Sequence, residues 1–252
     1  MKVIILAGGK GTRMESDIPK TLHRISEKAM ISHIVESVLP IDPCPTIIVG
    51  HKGEEVINET GGQYTYVWQK EQLGTGHAVL CAKEKLIEDQ EGKADYIIVV
   101  PGDAPLLKTE TLRQLLEECF GTHSAISLAV ASVPNFEGIY AGFERGGRIL
   151  RNEAGGVRGI VEWKDASEDE RALREINAGF YCFRADFLWG NIEKLKSENA
   201  AKELYLTDLI ALAVNAGEKV AAVILKNPLE GLGVNTQEEL AAAEKAISMQ
   251  ST

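Results

Sequence analysis

The chain has 252 residues, of which 44% are hydrophobic and 25% are charged, and its formal net charge is -10 at pH 7. These values are typical of a soluble globular protein with one large α/β domain or two small ones. An acidic chain of this kind is unsuited to broad binding of nucleic acids or anionic membranes, so an anionic substrate has to be met by local cations.

The spacing of the cysteines indicates a reducing compartment, and the lengths of the apolar runs argue against a membrane span. Cys44, Cys81, Cys119 and Cys182 have no C-x-x-C spacing and lie within or beside apolar runs, which favours free thiols over disulfides or a zinc site. No apolar run approaches the ~18 residues that a membrane span requires. We therefore expect a cytoplasmic protein with no membrane partner, and the sequence is silent on its oligomeric state.

The first predicted element is a buried strand that ends in a glycine-rich loop. Residues 3–6 form a continuous apolar run, and the loop at 8–11 supplies glycines, which let successive backbone N–H groups face one anion. Three cations stand in or after this loop: Lys10, Arg13 and Lys20. The spacing fits neither a Walker A loop nor the G-x-G-x-x-G motif, where Met14 replaces the last glycine. The stretch predicts phosphate binding; a strand-to-helix turn with incidental cations is the alternative.

Strands then alternate with helices. The expected strands are 46–49, 64–68, 95–100 and 125–133, and the expected helices are 30–38, 53–59, one capped by Thr75 and one that starts at Thr109. This alternation implies a Rossmann-like α/β fold with a mostly parallel, mixed central sheet and helices on both faces. Because ligands bind beyond the carboxyl ends of such strands, the loops after the first, third and fourth strands should share one crevice.

From residue 134 the pattern changes to short strands separated by glycines. Segments 139–143, 148–150 and 157–163 predict antiparallel hairpins inserted as a small lobe over the crevice, and 165–174 predicts an acidic surface segment. The remaining expected elements are a strand at 176–183, helices at 187–195 and 208–214, a strand at 220–225, and a last helix opened by the capping box Thr236-x-x-Glu239.

Separated motifs resemble one family. The first loop, with Pro19-Lys20, resembles the signature of the sugar-1-phosphate nucleotidylyltransferases, also called sugar-nucleotide pyrophosphorylases. Six further motifs are similar, and in the same order, to the uridylyltransferase half of the bifunctional N-acetylglucosamine-1-phosphate uridyltransferases: EQLGTGHA at 71–78, GD at 102–103, VEWKDA at 161–166, INAG at 176–179, YLTD at 205–208 and GVN at 233–235. The resemblance implies a single domain over 1–252, with a nucleotide-binding half (1–133), a sugar-binding half with the hairpins (134–235) and a C-terminal helix (236–252).

The resemblance also implies which residues bind UTP. Leu6, Gly8 and Gly9 of the first loop would hold the nucleotide. Gln69, Gln72 and Gly74 would read the uracil, with Thr75 beside it, because an amide offers both a donor and an acceptor to a base edge. The alternative for residues 72–74 is a turn that precedes a helix.

The implied cofactor is Mg²⁺, held by Asp103 and Asn235. Hard cations take oxygen ligands and keep several waters, so one carboxylate and one amide oxygen are sufficient. The alternatives are a turn former at Asp103 and a helix N-cap at Asn235.

The implied sugar contacts lie in the second half of the chain. Glu162, Asn177 and Asn235 would contact the sugar, and a hairpin glycine, either Gly147 or Gly142, would lie beside its N-acetyl group. Lys164 would share a face with Glu162 if this segment were a strand, and would then reach the sugar phosphate.

The mechanism that the resemblance implies is direct transfer between phosphates. The sugar-1-phosphate oxygen is already an anion, so positioning and charge neutralisation are required rather than a general base. Arg13 would stabilise the leaving pyrophosphate, and Lys20 the attacking or transferring phosphate.

The chain also departs from the family pattern. Pro101 and Leu204 stand where the family has tyrosines on the sugar side, and the hairpin region is longer. The acetyltransferase repeats of the bifunctional family are missing, so acetyl transfer is not expected. The alternatives are a nucleotidylyltransferase for another sugar phosphate or nucleotide, a non-catalytic nucleotide-sugar-binding or regulatory protein, and a fragment of a longer bifunctional protein.

Overall fold

A computed structural model describes residues 1–88 and 94–250, so the last two residues of the expected C-terminal segment at 236–252 lie outside it. In chain order the strands are β1 (Lys2–Ala7), β2 (Arg24–Ile25), β3 (Lys28–Ala29), β4 (Thr46–Val49), β5 (Thr65–Trp68), β6 (Tyr96–Pro101), β7 (Ile126–Ser132), β8 (Arg148–Arg151), β9 (Val157–Val161), β10 (Glu175–Arg184) and β11 (Val220–Ile224). The α-helices are α1 (Met30–Val38), α2 (Gly53–Glu59), α3 (Thr75–Glu88), α4 (Thr109–Gly121), α5 (Glu168–Arg171), α6 (Ala185–Asn191), α7 (Asp208–Asn215) and α8 (Gln237–Gln250).

The main sheet has the strand order β11-β7-β10-β6-β1-β4-β5. The pairs β1–β4, β1–β6, β4–β5 and β7–β11 are parallel, whereas β10 runs antiparallel to β6 and β7. The hairpin of β8 and β9 joins the sheet where Arg148 pairs with Ile176 of β10. The predicted Rossmann-like mixed sheet is therefore confirmed.

Helices cover both faces of the sheet because its central strands are apolar on both sides. Along β1, Val3 and Ile5 belong to one buried cluster, together with residues of α1, α4 and α8. Ile4 belongs to a second cluster, together with residues of α3, α6 and α7. Successive strand residues face opposite sides of a sheet, so a continuous apolar run is what a strand covered on both faces requires.

The reversed direction of β10 decides which of its ends reaches the ligand edge. Tyr181 pairs with Val99 of β6, and Arg184 pairs with Tyr96, so the amino end of β10 extends past the carboxyl end of β6. Asn177, near that amino end, is thereby brought to the edge where the parallel strands end. The register with β7 shifts between Asn177 and Tyr181, and Gly179 inside this irregularity has a φ of +78°.

Two local predictions are wrong. Residues 139–143 were expected to be a strand, but Gly138–Phe143 forms a 3-10 helix, which Gly138 enters with a φ of +57°. Thr75 does not cap α3 from outside, because it is the first helical residue and its Oγ1 accepts a hydrogen bond from the Leu206 N–H (3.1 Å).

Two other predictions are confirmed. The capping box of α8 forms, with Glu239 N–H on Thr236 Oγ1 (3.2 Å) and Thr236 N–H on Glu239 Oε2 (3.1 Å). All four cysteines are free thiols. None of the helices in the described ranges is both long and apolar enough to cross a membrane.

Candidate active site

A cavity of about 490 Å³ opens at the carboxyl edge of the sheet. Its lining comes mainly from the loops after β1, β5 and β6, as expected for the first, third and fourth predicted strands. The predicted nucleotide residues that line it are Leu6, Gly8, Gly9, Gln69, Gln72, Gly74 and Thr75, together with Lys10, Lys20 and Asp103. Pro101 and Glu203 line it as well.

A cluster of two cations and two oxygen-bearing side chains lies at this cavity. The Lys20 ammonium donates hydrogen bonds to Asp103 Oδ2 and to Asn235 Oδ1, the latter at 2.9 Å. Arg13 Nη2 also donates to Asn235 Oδ1, at 2.9 Å. The Val234 N–H bonds to the Asp103 carbonyl (2.8 Å), which brings the two segments together although they are far apart in sequence.

The first loop sets the position of Lys20 by close packing. Gly11 has a φ of +61°, and a Cβ at this position would lie 2.6 Å from the Lys20 Cβ. Real Cβ atoms do not approach each other so closely, so a side chain at position 11 would displace Lys20. The glycine is therefore required both by its backbone conformation and by this contact.

The oxygens of Asp103 and Asn235 are arranged in a way that fits a hard divalent cation. Both oxygens are directed at one positive charge, the ammonium of Lys20. A carboxylate and an amide oxygen are suitable ligands for such an ion, with waters and substrate oxygens completing its shell. In the described residues, no group of three or more His, Cys, Asp and Glu side chains offers an alternative metal site.

The side-chain amides of Gln69 and Gln72 line the cavity beside the first loop. Gln69 is almost fully buried, and its Nε2 lies 3.0 Å from the Gly74 carbonyl and 3.2 Å from His77 Nδ1. Gln72 Nε2 donates to the Gln69 carbonyl (3.0 Å). A Cβ on Gly8 would lie 2.8 Å from Gln69 Oε1, so the loop backbone approaches this amide closely. The group offers fixed donors and acceptors in a partly dry pocket, which suits recognition of a base edge.

The segment around Gly74 is held by the chain at 204–206. Leu204 N–H bonds to the Leu73 carbonyl, and Gly76 N–H bonds to the Leu204 carbonyl, both at 2.8 Å. Gly74 has a φ of +108°, and a Cβ there would meet the Leu204 oxygen at 2.6 Å. Residues from the second half of the chain therefore fix the amide pocket of the first half.

Gly147, Glu162 and Asn177 come together in the second half of the chain, and we call them the sugar-side group. Glu162 lines a second cavity, of about 310 Å³. The Gly147 carbonyl accepts a hydrogen bond from Asn177 N–H (2.8 Å), and a Cβ on Gly147 would lie 3.3 Å from Glu162 Oε2. Thr207 Oγ1 donates to Glu162 Oε1 (3.1 Å), and Asn177 Nδ2 donates to the Tyr181 hydroxyl (2.6 Å).

The structure also separates the two candidate hairpin glycines. Gly147 is the one beside Glu162, whereas Gly142 faces Leu232, whose Cδ1 would lie 2.7 Å from an added Cβ. Lys164 does not share a strand face with Glu162, because β9 ends at Val161 and Lys164 lies exposed in the following turn.

Burial controls the charge of Glu162. Burial is the largest effect and raises the pKa of this carboxyl, and the nearby carboxylates of Asp208, Asp165 and Glu203 raise it further, against the lowering effect of the Thr207 hydrogen bond. Burial and the charge of Glu162 in turn raise the pKa of Tyr181, which keeps its hydroxyl proton. The sugar-side group therefore holds a carboxyl that gives up its proton less readily than an ordinary glutamate does.

Sequence reasoning missed three supporting residues. His77 contacts the Gln69 amide, Thr207 contacts the Glu162 carboxylate, and Tyr181 contacts the Asn177 amide. His77 and Thr207 lie inside motifs that were recognised, so those motifs carried the signal. Tyr181 lies four residues after Asn177, with the irregularity of β10 between them, and no sequence pattern indicates this contact.

Comparisons with known proteins agree with this geometry. The family of MobA-like NTP transferase domains matches residues 3–206. The bifunctional protein GlmU of Streptococcus thermophilus (strain CNRZ 1066) is 41% identical over 245 residues, which cover 97% of this chain and 51% of that protein. The bifunctional protein GlmU of Streptococcus pyogenes serotype M3 (strain ATCC BAA-595 / MGAS315) is 41% identical over 250 residues, 99% of this chain and 52% of that protein. The chain thus spans about half the length of the curated relatives it matches.

Two solved structures share the fold. One is a UDP-glucose pyrophosphorylase complexed with UDP-glucose, with a TM-score of 0.73 and 18% identity over 99% of this chain and 98% of that one. The other is a putative glucose-1-phosphate thymidylyltransferase from Bacillus anthracis, with a TM-score of 0.71 and 20% identity over 98% of this chain and 94% of that one.

Proposed function

Since the chain belongs to the family of MobA-like NTP transferase domains, we propose that it transfers the uridylyl group of UTP to N-acetylglucosamine-1-phosphate. The products are UDP-N-acetylglucosamine and pyrophosphate. The observation that carries the proposal is that Lys20 and Asp103 line the same cavity as the two glutamines, and that Arg13 and Asn235 are hydrogen-bonded into the cluster with Lys20. The motifs shared with the uridylyltransferase half of the bifunctional family, and the identity to proteins named GlmU, support the choice of substrates.

The nucleotide occupies the cavity in this proposal. Leu6, Gly8 and Gly9 hold the nucleotide, and Gln69, Gln72 and Gly74 read the uracil, with Thr75 beside it. The amides are already oriented by their contacts with each other and with His77. Fixed donors and acceptors discriminate between bases because a wrong base leaves buried polar groups unpaired.

Transfer itself requires positioning and positive charge. An oxygen of the sugar-1-phosphate attacks the α-phosphorus of UTP in line, and the bond to the pyrophosphate oxygen breaks. Lys20 stabilises the attacking or transferring phosphate, and Arg13 stabilises the leaving pyrophosphate. Both cations donate to the same oxygen of Asn235, which places their charges on the same side of the site.

Mg²⁺ is the cofactor in this proposal, with Asp103 and Asn235 as its protein ligands. When bound, the ion supplies charge neutralisation to the phosphate oxygens and a template for their alignment. The directed oxygens of these two residues support the assignment.

The sugar is held by Glu162, Asn177 and the backbone at Gly147, with Asn235 at the boundary between sugar and metal. Glu162 and Asn177 are kept in fixed rotamers by Thr207 and Tyr181. A hydroxylated ligand is matched by such fixed acceptors and donors.

A second candidate is the same reaction with a different sugar-1-phosphate. The observation that favours it is Pro101, which lines the cavity and lies 3.5 Å from the Cβ position of Gly179 near the sugar-side group. Proline has no hydroxyl, so it provides no hydrogen bond where the family has a tyrosine.

The test is pyrophosphate release by the purified chain with Mg²⁺. UTP, dTTP, CTP, ATP and GTP are crossed with N-acetylglucosamine-1-phosphate, glucose-1-phosphate and N-acetylgalactosamine-1-phosphate. The proposal expects the pair of UTP and N-acetylglucosamine-1-phosphate to dominate and Asp103→Asn to abolish turnover. Dominance of another sugar selects the second candidate. UTP binding without turnover contradicts both and favours a regulatory protein.

A further inference from the structure

Five side chains next to the sugar-side group form a stack of alternating cations and rings, which we call the arginine–aromatic ladder. Its members, in order through the stack, are Arg174, Phe136, Arg148, Trp163 and Arg171. The distances from each guanidinium carbon to the adjacent ring centroid are 4.2 Å (Arg174–Phe136), 4.7 Å (Arg148–Phe136), 5.0 Å (Arg148–Trp163) and 4.7 Å (Arg171–Trp163). All four contacts lie within the range of cation–π attraction.

Arg148, at the centre of the ladder, is fully buried. Its guanidinium donates to the carbonyls of Gly146, Glu144 (2.6 Å) and Arg171 (3.0 Å from Nη2 and 3.2 Å from Nε). A buried charge is tolerated when its donors are satisfied, and the two ring faces add attraction from either side. Arginine suits this position because its planar fork can stack on two rings and still donate in several directions.

Two arginines of the ladder also donate side-chain hydrogen bonds to main-chain carbonyls of other members. Arg148 donates to the Arg171 carbonyl, and the Arg171 guanidinium donates in turn to the Trp163 carbonyl, at 3.1 and 3.2 Å. Helix α5, which contains Arg171, begins with a capping box between Ser167 and Glu170. The start of β8 and the end of β9 are therefore both tied to this short helix.

Two members of the sugar-side group, Gly147 and Glu162, adjoin these two strand ends. Arg148 directly follows Gly147, and Trp163 directly follows Glu162. A Cβ added to Gly147 would lie 3.3 Å from Glu162 Oε2, so the two residues are neighbours, and the Gly147 carbonyl accepts a hydrogen bond from the Asn177 N–H. A shift of either strand end would change the spacing between Gly147 and Glu162, although no member of the ladder lines the cavity.

We propose that the arginine–aromatic ladder positions the sugar-side group and that Arg148 is its positioning residue. The ladder fixes the separation between the Gly147 backbone and the Glu162 carboxylate, and with it the affinity for the sugar-1-phosphate. This inference rests on the proposed function, since it assigns a control of affinity to the sugar side of that same site. The nucleotide subsite lies mainly on the loops after β1 and β5 and reaches Glu162 only through the segment 204–207, so we expect it to respond less than the sugar side.

The test compares three variants with a matched control. Arg148→Lys keeps the charge but lacks the planar fork, and Trp163→Leu keeps the apolar bulk but lacks the ring. Trp163→Phe restores a ring face. Arg151→Lys is the control, because Arg151 lies on the same strand and its fork binds Glu175 rather than the ladder.

Steady-state kinetics with UTP and N-acetylglucosamine-1-phosphate provides the readout. For Arg148→Lys and Trp163→Leu we expect the KM for the sugar-1-phosphate to rise about tenfold, while the KM for UTP stays within about twofold of wild type. Trp163→Phe should recover most of the loss, and Arg151→Lys should behave as wild type. A purely structural role would instead raise both KM values or lower the active fraction, which UTP titration measures.

The outcomes separate this inference from the proposed function. An inactive wild type with every sugar phosphate overturns the proposed function and this inference with it. An active wild type with unchanged sugar-1-phosphate KM in Arg148→Lys and Trp163→Leu overturns only the ladder, and so does an equal rise in both KM values. If Arg148→Lys fails to fold, the comparison of Trp163→Leu with Trp163→Phe decides the question.

Discussion

The ammonium of Lys20 forms a hydrogen-bonded ion pair with the carboxylate of Asp103, the residue proposed to bind the metal. The same ammonium is 2.9 Å from the Asn235 amide oxygen, so it stands where both oxygens would face a divalent ion. The lysine is therefore the counter-ion of the two residues proposed to bind the metal. A divalent ion held by Asp103 and Asn235 would compete with Lys20 for the same oxygens, and like-charge repulsion would leave the lysine available to the substrate phosphates.

Replacing Lys20 should affect metal binding and turnover in opposite directions. In Lys20→Met we expect the affinity of the nucleotide-free chain for Mn²⁺ to rise about tenfold, because an internal competitor is lost. Turnover should fall about 100-fold or more, far more than the affinity for UTP, since the lysine acts on the transferring phosphate. Calorimetric titration with Mn²⁺ and steady-state kinetics measure the two effects. Lys10→Met is the matched control for metal affinity, and an unchanged Mn²⁺ affinity in Lys20→Met would contradict the competition.

The amide pocket should control the choice of base. Gln72→Ala removes an amide that contacts the Gln69 carbonyl and lines the cavity. We expect the KM for UTP to rise about tenfold, as for loss of one or two hydrogen bonds in a pocket, with a reduced preference over CTP. Kinetics with each nucleotide measures this, and Glu71→Ala, at the exposed neighbouring position, is the control. An unchanged ratio of UTP to CTP turnover would remove Gln72 from base recognition.

The raised pKa of Glu162 predicts opposite effects on stability and binding. Because its pKa is higher in the folded chain than in the unfolded chain, folding takes up a proton, and stability falls as pH rises through the folded pKa. Glu162→Gln removes this penalty, so its Tm should exceed that of wild type at pH 7, and the gain should disappear below the ordinary carboxyl pKa of 4.5.

The same substitution should weaken sugar binding, because an amide replaces the carboxylate that accepts from sugar hydroxyls. We expect the KM for the sugar-1-phosphate to rise about tenfold at pH 7, and the wild-type KM to rise as the pH falls through the raised pKa. Thermal melts and kinetics over pH 4 to 8 provide the measurement. A Glu162→Gln chain that is less stable than wild type at pH 7 would show that burial does not dominate the energetics of this carboxyl.

The two hairpin glycines should respond differently to a methyl group. In Gly147→Ala the new Cβ would lie 3.1 Å from Ile160 and 3.3 Å from the Glu162 carboxylate, so the KM for the sugar-1-phosphate should rise about tenfold. In Gly142→Ala the Cβ meets the end of Leu232, and we expect mainly a loss of about 1 to 2 kcal/mol in unfolding free energy. Kinetics and denaturant unfolding distinguish the two, and the reverse pattern would assign the sugar side to Gly142.

The sequence alone predicts the sheet and the crevice because both follow from local patterns. Continuous apolar runs such as residues 3–6 identify strands covered on both faces, and their alternation with helices implies parallel pairing. The direction of β10 has no such local signal, so the approach of Asn177 from an antiparallel strand was not foreseen. The predicted strand at 139–143 failed because Ile139 and Tyr140 favour a strand, whereas Gly138 starts a 3-10 helix.

Long-range contacts explain the rest of the difference. Pairing Asp103 with Asn235 depended on a family resemblance, since no pattern in the chain relates such distant positions. The arginine–aromatic ladder was missed because it is assembled from four separated segments, and arginines in isolation indicate only an exposed surface. The spacing of residues along the chain predicts contacts within one helix or strand, but not contacts between segments that are far apart in sequence.

Helix α8 holds Asn235 and contacts the segment after the first loop, so the proposed site is complete only after this helix has been synthesised. Gln237 donates to the Met14 carbonyl (3.2 Å), and Glu239 Oε2 accepts from the Asn235 N–H. A nascent chain that has emerged from the ribosome only through residue 206 already contains Gln69, Gln72 and the Leu204 backbone that bonds to Leu73 and Gly76, but not Asn235. Such a chain would carry the residues of the proposed nucleotide pocket but only one of the two proposed metal ligands, so the proposed transfer would have to wait for residue 235 and for the helix that holds it.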